Sequence, residues 1–320
     1  MLLGATGTIG RAALDALVER GHHVECLVRP SSRAAMDSII TRHQGVKARF
    51  GDVTDLRSVV ADGFGSDKFD VLISCMASRN GTAKDAWAVD YQAHLNTLEA
   101  AKQAGVNHYI LLSAICVQKP KLAFQHAKLA FEKALIESGL RYSIVRPTAF
   151  FKSLSGQIDR VRNGKSFLLF GNGELTACKP ISDHDLGNYL AECVENEKLH
   201  DRILPIGGPS DAITPLMQGH LLFQLLGREP KFTHVPVGLL DFIIGGLKLA
   251  AKVIPAAADK AQLAQIGRYY ATESMLVLNG ETGLYDAVAT PSTGSDTLQD
   301  HYRRVISGQS TLERGEHSVF

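Results

Sequence analysis

Short apolar segments alternate with longer amphipathic segments through the first half of the chain. The apolar runs at residues 71–75 and 109–113 are rich in Ile and Leu, which favours buried β-strands. Between such runs apolar residues recur with helical spacing, as at Leu14 and Leu17 in the segment 9–20. Apolar strands separated by helices predict an α/β fold with a parallel, doubly wound sheet of the Rossmann type.

The alternation becomes less regular after about residue 150. One further strand is predicted at residues 203–206, and helices are predicted from Asp183 and over 217–226. We therefore expect three parts: a dinucleotide-binding domain at 1–150, a smaller substrate-binding region at 151–308, and a disordered tail at 309–320.

The segment 237–254 is the most apolar part of the back half. Asp241, Lys248 and Lys252 interrupt it, so its apolar run is shorter than the roughly 18 residues of a membrane span. The pattern predicts an amphipathic helix. Such a helix would pack on the domain, line an apolar substrate pocket, or make peripheral contact with a membrane surface.

The overall composition is that of an ordinary globular protein. The 34 basic residues nearly balance the 33 acidic ones, so the net charge of +1 gives no indication of nucleic-acid binding. The five cysteines are scattered and include no Cys-X-X-Cys pair, which is typical of reduced thiols in a cytoplasmic protein. We predict no metal site.

The segment GATGTIG has the glycine spacing of a dinucleotide-binding turn. Only three residues precede it, so we expect the chain to begin inside its first strand. The predicted strand and helix around the turn allow backbone N–H groups to bind a pyrophosphate at the helix N-terminus. A purely structural turn would show the same spacing, but this context favours a nucleotide. The predicted cofactor contacts are Gly4, Thr6, Gly7, Thr8, Ile9 and Gly10.

The residues after the second predicted strand distinguish NADPH from NADH. Sheets that bind NAD place an acidic residue about 20 positions after the glycines, whereas this chain has Arg29, Ser32 and Arg33. Guanidinium and hydroxyl groups suit a 2′-phosphate, so NADPH is the predicted cofactor; a solvated basic loop is the alternative. Asp52 and Val53 follow the third strand, where Asp52 would accept a hydrogen bond from the adenine amino group.

Phe124 and Lys128 have the spacing of the tyrosine and lysine of short-chain dehydrogenases, with phenylalanine in place of the tyrosine. Lys128 lies one helical turn after Phe124 on the same face, where it would hold the nicotinamide ribose. Ser113 ends the fifth strand and is the second catalytic candidate. Ser74 and Pro147 end neighbouring strands and are predicted cofactor contacts. Alternatively, Lys128 is a solvated helix residue and Ser113 only satisfies backbone groups.

The missing tyrosine restricts the chemistry. Phe124 cannot donate a proton, so ketone or alcohol chemistry that needs a phenolic acid is disfavoured. Hydride addition to a conjugated carbon–carbon double bond remains available, because the π-system of the substrate takes up the negative charge. The proton would then come from Lys128, from water or from another side chain.

Residues 1–150 resemble the atypical short-chain dehydrogenases, including the isoflavone-reductase-like and NmrA-like groups. The rest of the chain is similar to a narrower family, the divinyl chlorophyllide and protochlorophyllide 8-vinyl reductases. The motifs that carry this resemblance are SAICVQKP, FQHAKLAFE, RPTAFFKSLSGQ, CKPISDHDL, LPIGGP, LLGREPKF and IGRYYATESMLVL.

The resemblance implies NADPH-dependent reduction of the 8-vinyl group of a magnesium tetrapyrrole to ethyl, in chlorophyll or bacteriochlorophyll synthesis. The substrate would be divinyl chlorophyllide or protochlorophyllide, and the enzyme would be cytoplasmic or peripheral to photosynthetic membranes. The candidate substrate contacts are Phe124, Phe150, Phe151 and Lys152, with Lys152 or Arg160 at the propionate. His126, His184 and His220 are weak candidates for an axial magnesium ligand.

Two other functions share the front half of the sequence. An NmrA-like regulator would bind NADP without catalysis, and it would also lack the tyrosine. A reductase of another conjugated double bond, such as a phenylpropanoid, would share the cofactor site and differ only in the pocket. The oligomeric state stays open.

Overall fold

A computed structural model describes residues 1–43 and 45–309. The predicted tail, apart from Gln309, lies outside the described residues. The strands are β1 (Leu2–Leu3), β2 (Glu25–Val28), β3 (Lys47–Phe50), β4 (Val71–Ser74), β5 (His108–Leu112), β6 (Arg141–Pro147), β7 (Phe167–Phe170), β8 (Arg202–Ile206), β9 (Phe232–Val235), β10 (Val277–Leu278) and β11 (Tyr285–Asp286).

The helices connect these strands and form the second region. They are α1 (Thr8–Glu19), α2 (Arg33–Ile40), α3 (Leu56–Ser58), α4 (Ala83–Ala86), α5 (His94–Gln103), α6 (Ala123–Ile136), α7 (Ile158–Arg162), α8 (Asp183–Glu195), α9 (Pro215–Leu225), α10 (Val237–Ala250), α11 (Ala256–Thr272) and α12 (Leu298–Ile306). Two π-helical segments, Val59–Phe64 and Trp87–Ala93, precede other helices or loops. Short 3-10 turns lie at Pro30–Ser32, Ile115–Gln118, Phe151–Leu154 and Glu197–Leu199.

Seven strands form one sheet in the order β3-β2-β1-β4-β5-β6-β8, and every neighbouring pair is parallel. The prediction of a doubly wound parallel sheet is confirmed. The strand order reverses between β1 and β4, and ligands of such sheets bind in the crevice at the carboxyl ends of the strands beside this point. The glycine turn follows β1 at that edge.

Helices cover both faces of the sheet because its strands are apolar on both sides. On one face α1, α2 and α8 contribute Leu14, Met36 and Leu190 to a core that includes β1 and β5 residues. On the other face α5 and α6 contribute Leu98 and Phe131 to a second core. Side chains from the same strands therefore anchor both helical layers.

The sheet that carries the glycine turn extends beyond the predicted domain boundary at residue 150. After the start of the second region, the chain returns to the first sheet, where β8 pairs with β6 and α8 packs against α1. Gly187 makes this packing close, since a Cβ there would lie 2.5 Å from the backbone carbonyl of Ala12. The edge of β6 would otherwise expose unpaired backbone groups, so a strand from beyond residue 150 completes the nucleotide-binding sheet.

The remaining elements form a smaller unit at the carboxyl edge of the sheet. Strands β7 and β9 pair in parallel, and helices α7, α9 and α12 surround a core that includes Phe167, Leu222 and Tyr302. Helices α10 and α11 form a hairpin, in which Asp241 and Arg268 make an ion pair. Among the described residues no helix is both long and apolar enough to span a membrane.

Candidate active site

The glycine turn brings its backbone close to two neighbours. Gly4 has a φ of +78°, and a Cβ on it would lie 2.8 Å from the carbonyl of Cys75. A Cβ on Gly10 would lie 2.1 Å from the carbonyl oxygen of Gly4. Only glycine fits at these two positions, which hold the turn tightly between β4 and α1. Thr6, Gly7 and Thr8 keep partial or full exposure, whereas Ile9 is buried in the core below.

Arg29 and Arg33 follow β2, and Asp52 follows β3. The guanidinium of Arg33 stacks on the ring of Phe50 with 3.6 Å between its central carbon and the ring centroid, a contact that fixes its orientation. Asp52 accepts hydrogen bonds from the Thr54 hydroxyl and N–H at 2.7 and 2.9 Å. These bonds, aided by the charge of Arg29, lower the pKa of Asp52 below its ordinary value.

The other predicted cofactor contacts at the strand ends differ in their exposure to solvent. Arg29 is exposed and Ser32 is partly exposed, whereas Val53 is half-buried, and its carbonyl accepts a hydrogen bond from Asn96. Pro147, the last residue of β6, is buried and borders a cavity described below. The charged groups suited to a 2′-phosphate are therefore accessible at the strand ends.

Ser74 ends β4 at the predicted edge, but its side chain is fully buried. Its hydroxyl lies 2.9 Å from Nε2 of His94, whose Nδ1 donates to the carbonyl of Val89. Burial, together with the charge of Lys128, lowers the pKa of His94 to about 4, so the ring is neutral and accepts the serine proton. The Ser74 hydroxyl therefore has a partner within the protein, and its contact with the cofactor stays a prediction.

Lys128 forms a buried ion pair with Asp90. The lysine is 8% exposed, and its Nζ lies 3.0 Å from the Asp90 carboxylate, which also accepts the Ser78 N–H. Burial alone would raise the pKa of Asp90, but the charge of Lys128 and the Ser78 hydrogen bond outweigh it and lower the pKa. The alternative of a solvated Lys128 is therefore wrong.

Sequence reasoning missed Asp90 and His94. They lie four residues apart, on the π-helical segment before α5 and at the start of α5, and both are buried beside Lys128. The signal for them was the i, i+4 spacing of two polar side chains in a helix that faces the sheet.

The Ser113 side chain is hydrogen-bonded to a carboxylate of the protein. Its hydroxyl donates to the buried carboxylate of Glu132 at 2.5 Å, and Arg146 pairs with the same carboxylate. This triplet joins the end of β5 to α6 and β6. A hydroxyl bonded to a buried carboxylate positions these elements, and a catalytic role for Ser113 stays a prediction.

A cavity of about 310 Å³ opens at the carboxyl ends of β5 and β6. Its walls come from the residues after these strands, from β7 and the loop that follows it, and from the end of α11. The lining is mainly apolar, and Phe150 and Phe167 provide two rings. A largely apolar cleft with few polar groups at this edge is the usual form of a small-molecule site in open α/β sheets.

The predicted substrate residues separate into three groups. Phe150 lines the cavity, which supports its prediction. Phe124 packs in a core cluster against Ile266 of α11, and Phe151 is buried in the core of the second region, so neither lines the cavity. Lys152 does not line it either, because its Nζ donates to the Thr8 hydroxyl at 3.0 Å. Of the four predicted substrate contacts, Phe150 alone lines this cavity, and the contacts themselves stay predictions.

The cavity wall also tests the weaker candidates. His126, His184 and His220 are exposed and do not belong to the lining, and no histidine is among the described residues that form it. Arg160 donates to the carbonyl of Ser166 and also lies outside the wall. The lining instead contains Tyr270 and Glu273, which lie in the motif IGRYYATESMLVL.

The sequence model of a family described as NAD(P)H-binding matches residues 4–197. Divinyl chlorophyllide a 8-vinyl-reductase of Cucumis sativus is 49% identical over 332 residues, which cover 100% of this chain and 79% of the relative. The reductase of Arabidopsis thaliana with the same name is 48% identical, with 99% and 79% covered. This chain belongs to the divinyl chlorophyllide a 8-vinyl-reductase family.

Solved structures of other enzymes share the fold of this family member. An NADPH-dependent quinone oxidoreductase of Escherichia coli, crystallised with NADPH, superposes with a TM-score of 0.69 at 18% identity. The match covers 95% of this chain and 99% of the oxidoreductase. The similarity extends through the second region, so both parts of the chain follow one known architecture.

Proposed function

We propose that this chain reduces the 8-vinyl group of divinyl chlorophyllide a to an ethyl group with NADPH. The observation that carries the proposal is an apolar cavity at the same carboxyl edge of the sheet as the dinucleotide turn, in a chain nearly half identical to named 8-vinyl reductases over its whole length. The membership of the family makes it an oxidoreductase, and the alternative of a non-catalytic regulator is not favoured.

The residues of the glycine turn and those that follow β2 fit NADPH. The turn at Gly4 and Gly10 leaves no room for side chains, so backbone N–H groups of the α1 N-terminus remain available to a pyrophosphate. Arg29 and Arg33 offer guanidinium groups to a 2′-phosphate, and Phe50 holds Arg33 in place. When bound, NADPH supplies the hydride for the terminal carbon of the vinyl group.

A vinyl group on a conjugated macrocycle explains the absence of a tyrosine at position 124. Negative charge left by hydride addition spreads over the ring, so no oxyanion needs a phenolic acid beside it. Phe124 instead packs between α6 and α11 and helps to hold the second region on the sheet. The apolar cavity wall excludes water from the reacting carbon atoms.

The inner vinyl carbon then needs a proton, and Tyr270 is our proposed donor. Its ring lines the cavity and the residue is 41% exposed, whereas its hydroxyl is buried against the Cys116 thiol. Burial of the hydroxyl and the neighbouring Cys116 raise the pKa of Tyr270 well above its ordinary value, so the phenol is protonated at neutral pH. The raised pKa also makes the phenol a weaker acid, so its proposed contribution rests on its position at the cavity wall. One hydride and one proton convert the vinyl group to ethyl, and the phenolate regains its proton from water when the product leaves.

The other ionisable groups near the cavity suit this role less well. Burial raises the pKa of Glu273, but hydrogen bonds from Lys119, Lys121 and Tyr285 outweigh it and lower the pKa, so this carboxyl has no proton to give. Lys128 lies outside the cavity wall and is paired with Asp90. We propose that Lys128 supports the part of the sheet edge where the cofactor binds.

Anaerobic incubation of the protein with divinyl chlorophyllide a and NADPH tests the function. We expect a blue shift of the Soret band and a product heavier by two hydrogens, with NADPH consumed in equal amount. Replacing NADPH by NADH, or Arg33 by alanine, should slow the reaction because the 2′-phosphate contact is lost. Binding of NADPH without any change in the pigment would instead favour the regulator. Reduction of a phenylpropanoid but not of the pigment would favour a different reductase.

We also propose that helix α10 rests on a membrane that contains anionic lipids. Of its residues only Ile244 is buried, whereas Phe242 is 80% exposed, and Val253 in the turn after the helix is 83% exposed. No α10 residue lines the cavity, which favours a membrane contact over a substrate wall. Lys248 and Lys252 flank the apolar side chains and supply the positive charge that attracts anionic headgroups.

Co-sedimentation with phosphatidylglycerol vesicles checks the membrane contact. Replacing Phe242 and Val253 by serine should weaken binding at least about tenfold, because two apolar side chains no longer enter the lipid. Val288→Ser is the matched control, since Val288 is 95% exposed elsewhere on the surface. Equal binding by the double variant would refute the contact. Loss of self-association in that variant would identify a second copy as the partner of α10.

A further inference from the structure

Gln218 is a buried polar residue in the cavity wall. It lies on α9, where its backbone N–H donates to the carbonyl of Thr214, and it is 6% exposed. Its side-chain amide forms no hydrogen bond within the part of the chain that the structure describes. Buried amides in folded proteins almost always have a partner, because an unpaired one destabilises the fold. Gln218 therefore calls for a partner that the protein itself does not supply.

The amide of Gln218 is open towards the cavity. Neither its oxygen nor its nitrogen is fully enclosed by protein atoms, although little of the residue is exposed. Because the residue lines the cavity, we place the open side of the amide there. A ligand that enters the cavity can therefore reach Oε1 and Nε2 of this side chain.

Other polar side chains of the wall already have partners. The amide of Gln157 accepts a hydrogen bond from the Leu168 N–H and donates to the Leu168 carbonyl, at 2.7 and 2.9 Å. The Glu273 carboxylate is held by two lysines and a tyrosine, as described above. Of the two glutamines that line the cavity, Gln218 is the one with a carbonyl oxygen available to a ligand.

The substrate of the proposed function carries a magnesium ion at the centre of its ring. Mg²⁺ favours oxygen ligands and a higher coordination number than the four ring nitrogens provide. Water fills a further position in solution, whereas an apolar cavity excludes water. The described part of the cavity wall contains no histidine, so a neutral amide oxygen is a ligand that this wall can offer.

We propose that Oε1 of Gln218 is an axial ligand of the magnesium ion of the substrate. This inference rests on the proposed function, since it takes the substrate to be a magnesium tetrapyrrole. The amide oxygen supplies the contact that His126, His184 and His220 do not make from outside the cavity wall. Such a ligand holds the plane of the ring at a set distance from α9, and it gives the site a preference for pigments that contain magnesium.

Pigment binding without NADPH tests the proposal separately from catalysis. The titrations follow the absorbance of divinyl chlorophyllide a and of its magnesium-free counterpart, divinyl pheophorbide a. We expect Gln218→Leu to weaken binding of the magnesium pigment about tenfold or more and to change the Kd of the magnesium-free pigment less than about twofold. Gln224→Leu is the matched control, because Gln224 is exposed on the same helix and lies outside the cavity wall.

Two further measurements separate magnesium ligation from other roles of the side chain. Gln218→Leu removes an unpaired buried amide, so its melting temperature should equal or exceed that of the wild type. Gln218→Glu keeps an oxygen at the same position but has no amide N–H. It should therefore retain the preference for the magnesium pigment, whereas a side chain that donates to a ring carbonyl would lose its effect.

Three results would overturn the proposal. One is a Kd of Gln218→Leu for the magnesium pigment within twofold of the wild-type value. Another is an equal loss of affinity for both pigments, which would place the amide on a polar group at the ring periphery. The third is a wild type that binds neither pigment, which would also remove the proposed function. A wild type that shows the magnesium preference but does not reduce the vinyl group would refute the proposed function alone.

Discussion

Replacing Lys128 by alanine is expected to lower the free energy of unfolding by about 3–5 kcal/mol, because the variant leaves Asp90 charged and buried without its partner. Asp90 is 1% exposed, and its pair with Lys128 is 3.0 Å long. Urea denaturation at pH 7 measures the change. We also expect nearly complete loss of 8-vinyl reduction, since the pair lies beside His94, which contacts Ser74 at the end of β4, and we assign Lys128 to cofactor support.

The pH dependence of this variant follows from the Asp90 carboxyl. In the wild type the pKa of Asp90 is lowered, so the pair contributes stability above the ordinary pKa of 3.8 and loses it as pH falls through the folded value. Without Lys128, burial raises the pKa of Asp90, and the variant becomes more stable as acid protonates this group. The difference in unfolding free energy should therefore be largest near pH 7 and shrink towards pH 4.

A double variant separates stability from activity. Asp90→Asn with Lys128→Met removes both charges and retains similar side-chain volume, so most of the stability should return. Its activity should stay low if Lys128 supports the cofactor. An unfolding free energy of Lys128→Ala equal to that of the wild type at pH 7 would show that the pair is solvated and would remove the basis for this prediction.

Replacing Tyr270 by phenylalanine is expected to lower kcat for the pigment about 10²- to 10⁴-fold, the usual contribution of a positioned general acid. The ring still lines the cavity, so the Kd for NADPH and the melting temperature should change little. Single-turnover absorbance at the Soret band measures the rate. Loss of the phenolic proton leaves only water or a thiol to protonate the inner vinyl carbon.

Tyr285→Phe is the control for this prediction. Its phenol donates to Glu273 at 2.9 Å and lies outside the cavity wall, so its loss should leave kcat within about threefold. A Tyr270→Phe enzyme that is folded and retains kcat within the same range would exclude Tyr270 as the donor. Water would then be the remaining source.

Local patterns were sufficient for the nucleotide-binding half of the fold. The predicted strand 71–75 ends one residue after β4, and the predicted helix 9–20 differs from α1 by one residue at each end. The glycine turn was equally readable, since Gly4 and Gly10 occupy positions where any Cβ would meet backbone atoms. Hydrophobic periodicity and steric exclusion act over a few neighbouring residues, so both can be predicted from the sequence alone.

Contacts between segments that are far apart in sequence could not be predicted from local patterns. The sequence placed a boundary at residue 150, but β8 returned to pair with β6, because the pairing of two strands depends on the whole sheet. Aromatic side chains at 124 and 151 look alike in sequence to the one at 150. Only packing decided that Phe150 lines the cavity while Phe124 and Phe151 are core.

The sequence by itself determined the parallel sheet, the glycine turn after β1, the basic residues after β2 and the family, since each is a property of contiguous residues. The tertiary structure decided which polar groups meet: Lys128 with Asp90, Ser113 with Glu132, and Lys152 with Thr8. It also brought Tyr270 of α11 into the cavity near the ends of β5 and β6. Burial and charge pairing are long-range consequences of folding, and they decide what each ionisable side chain can do.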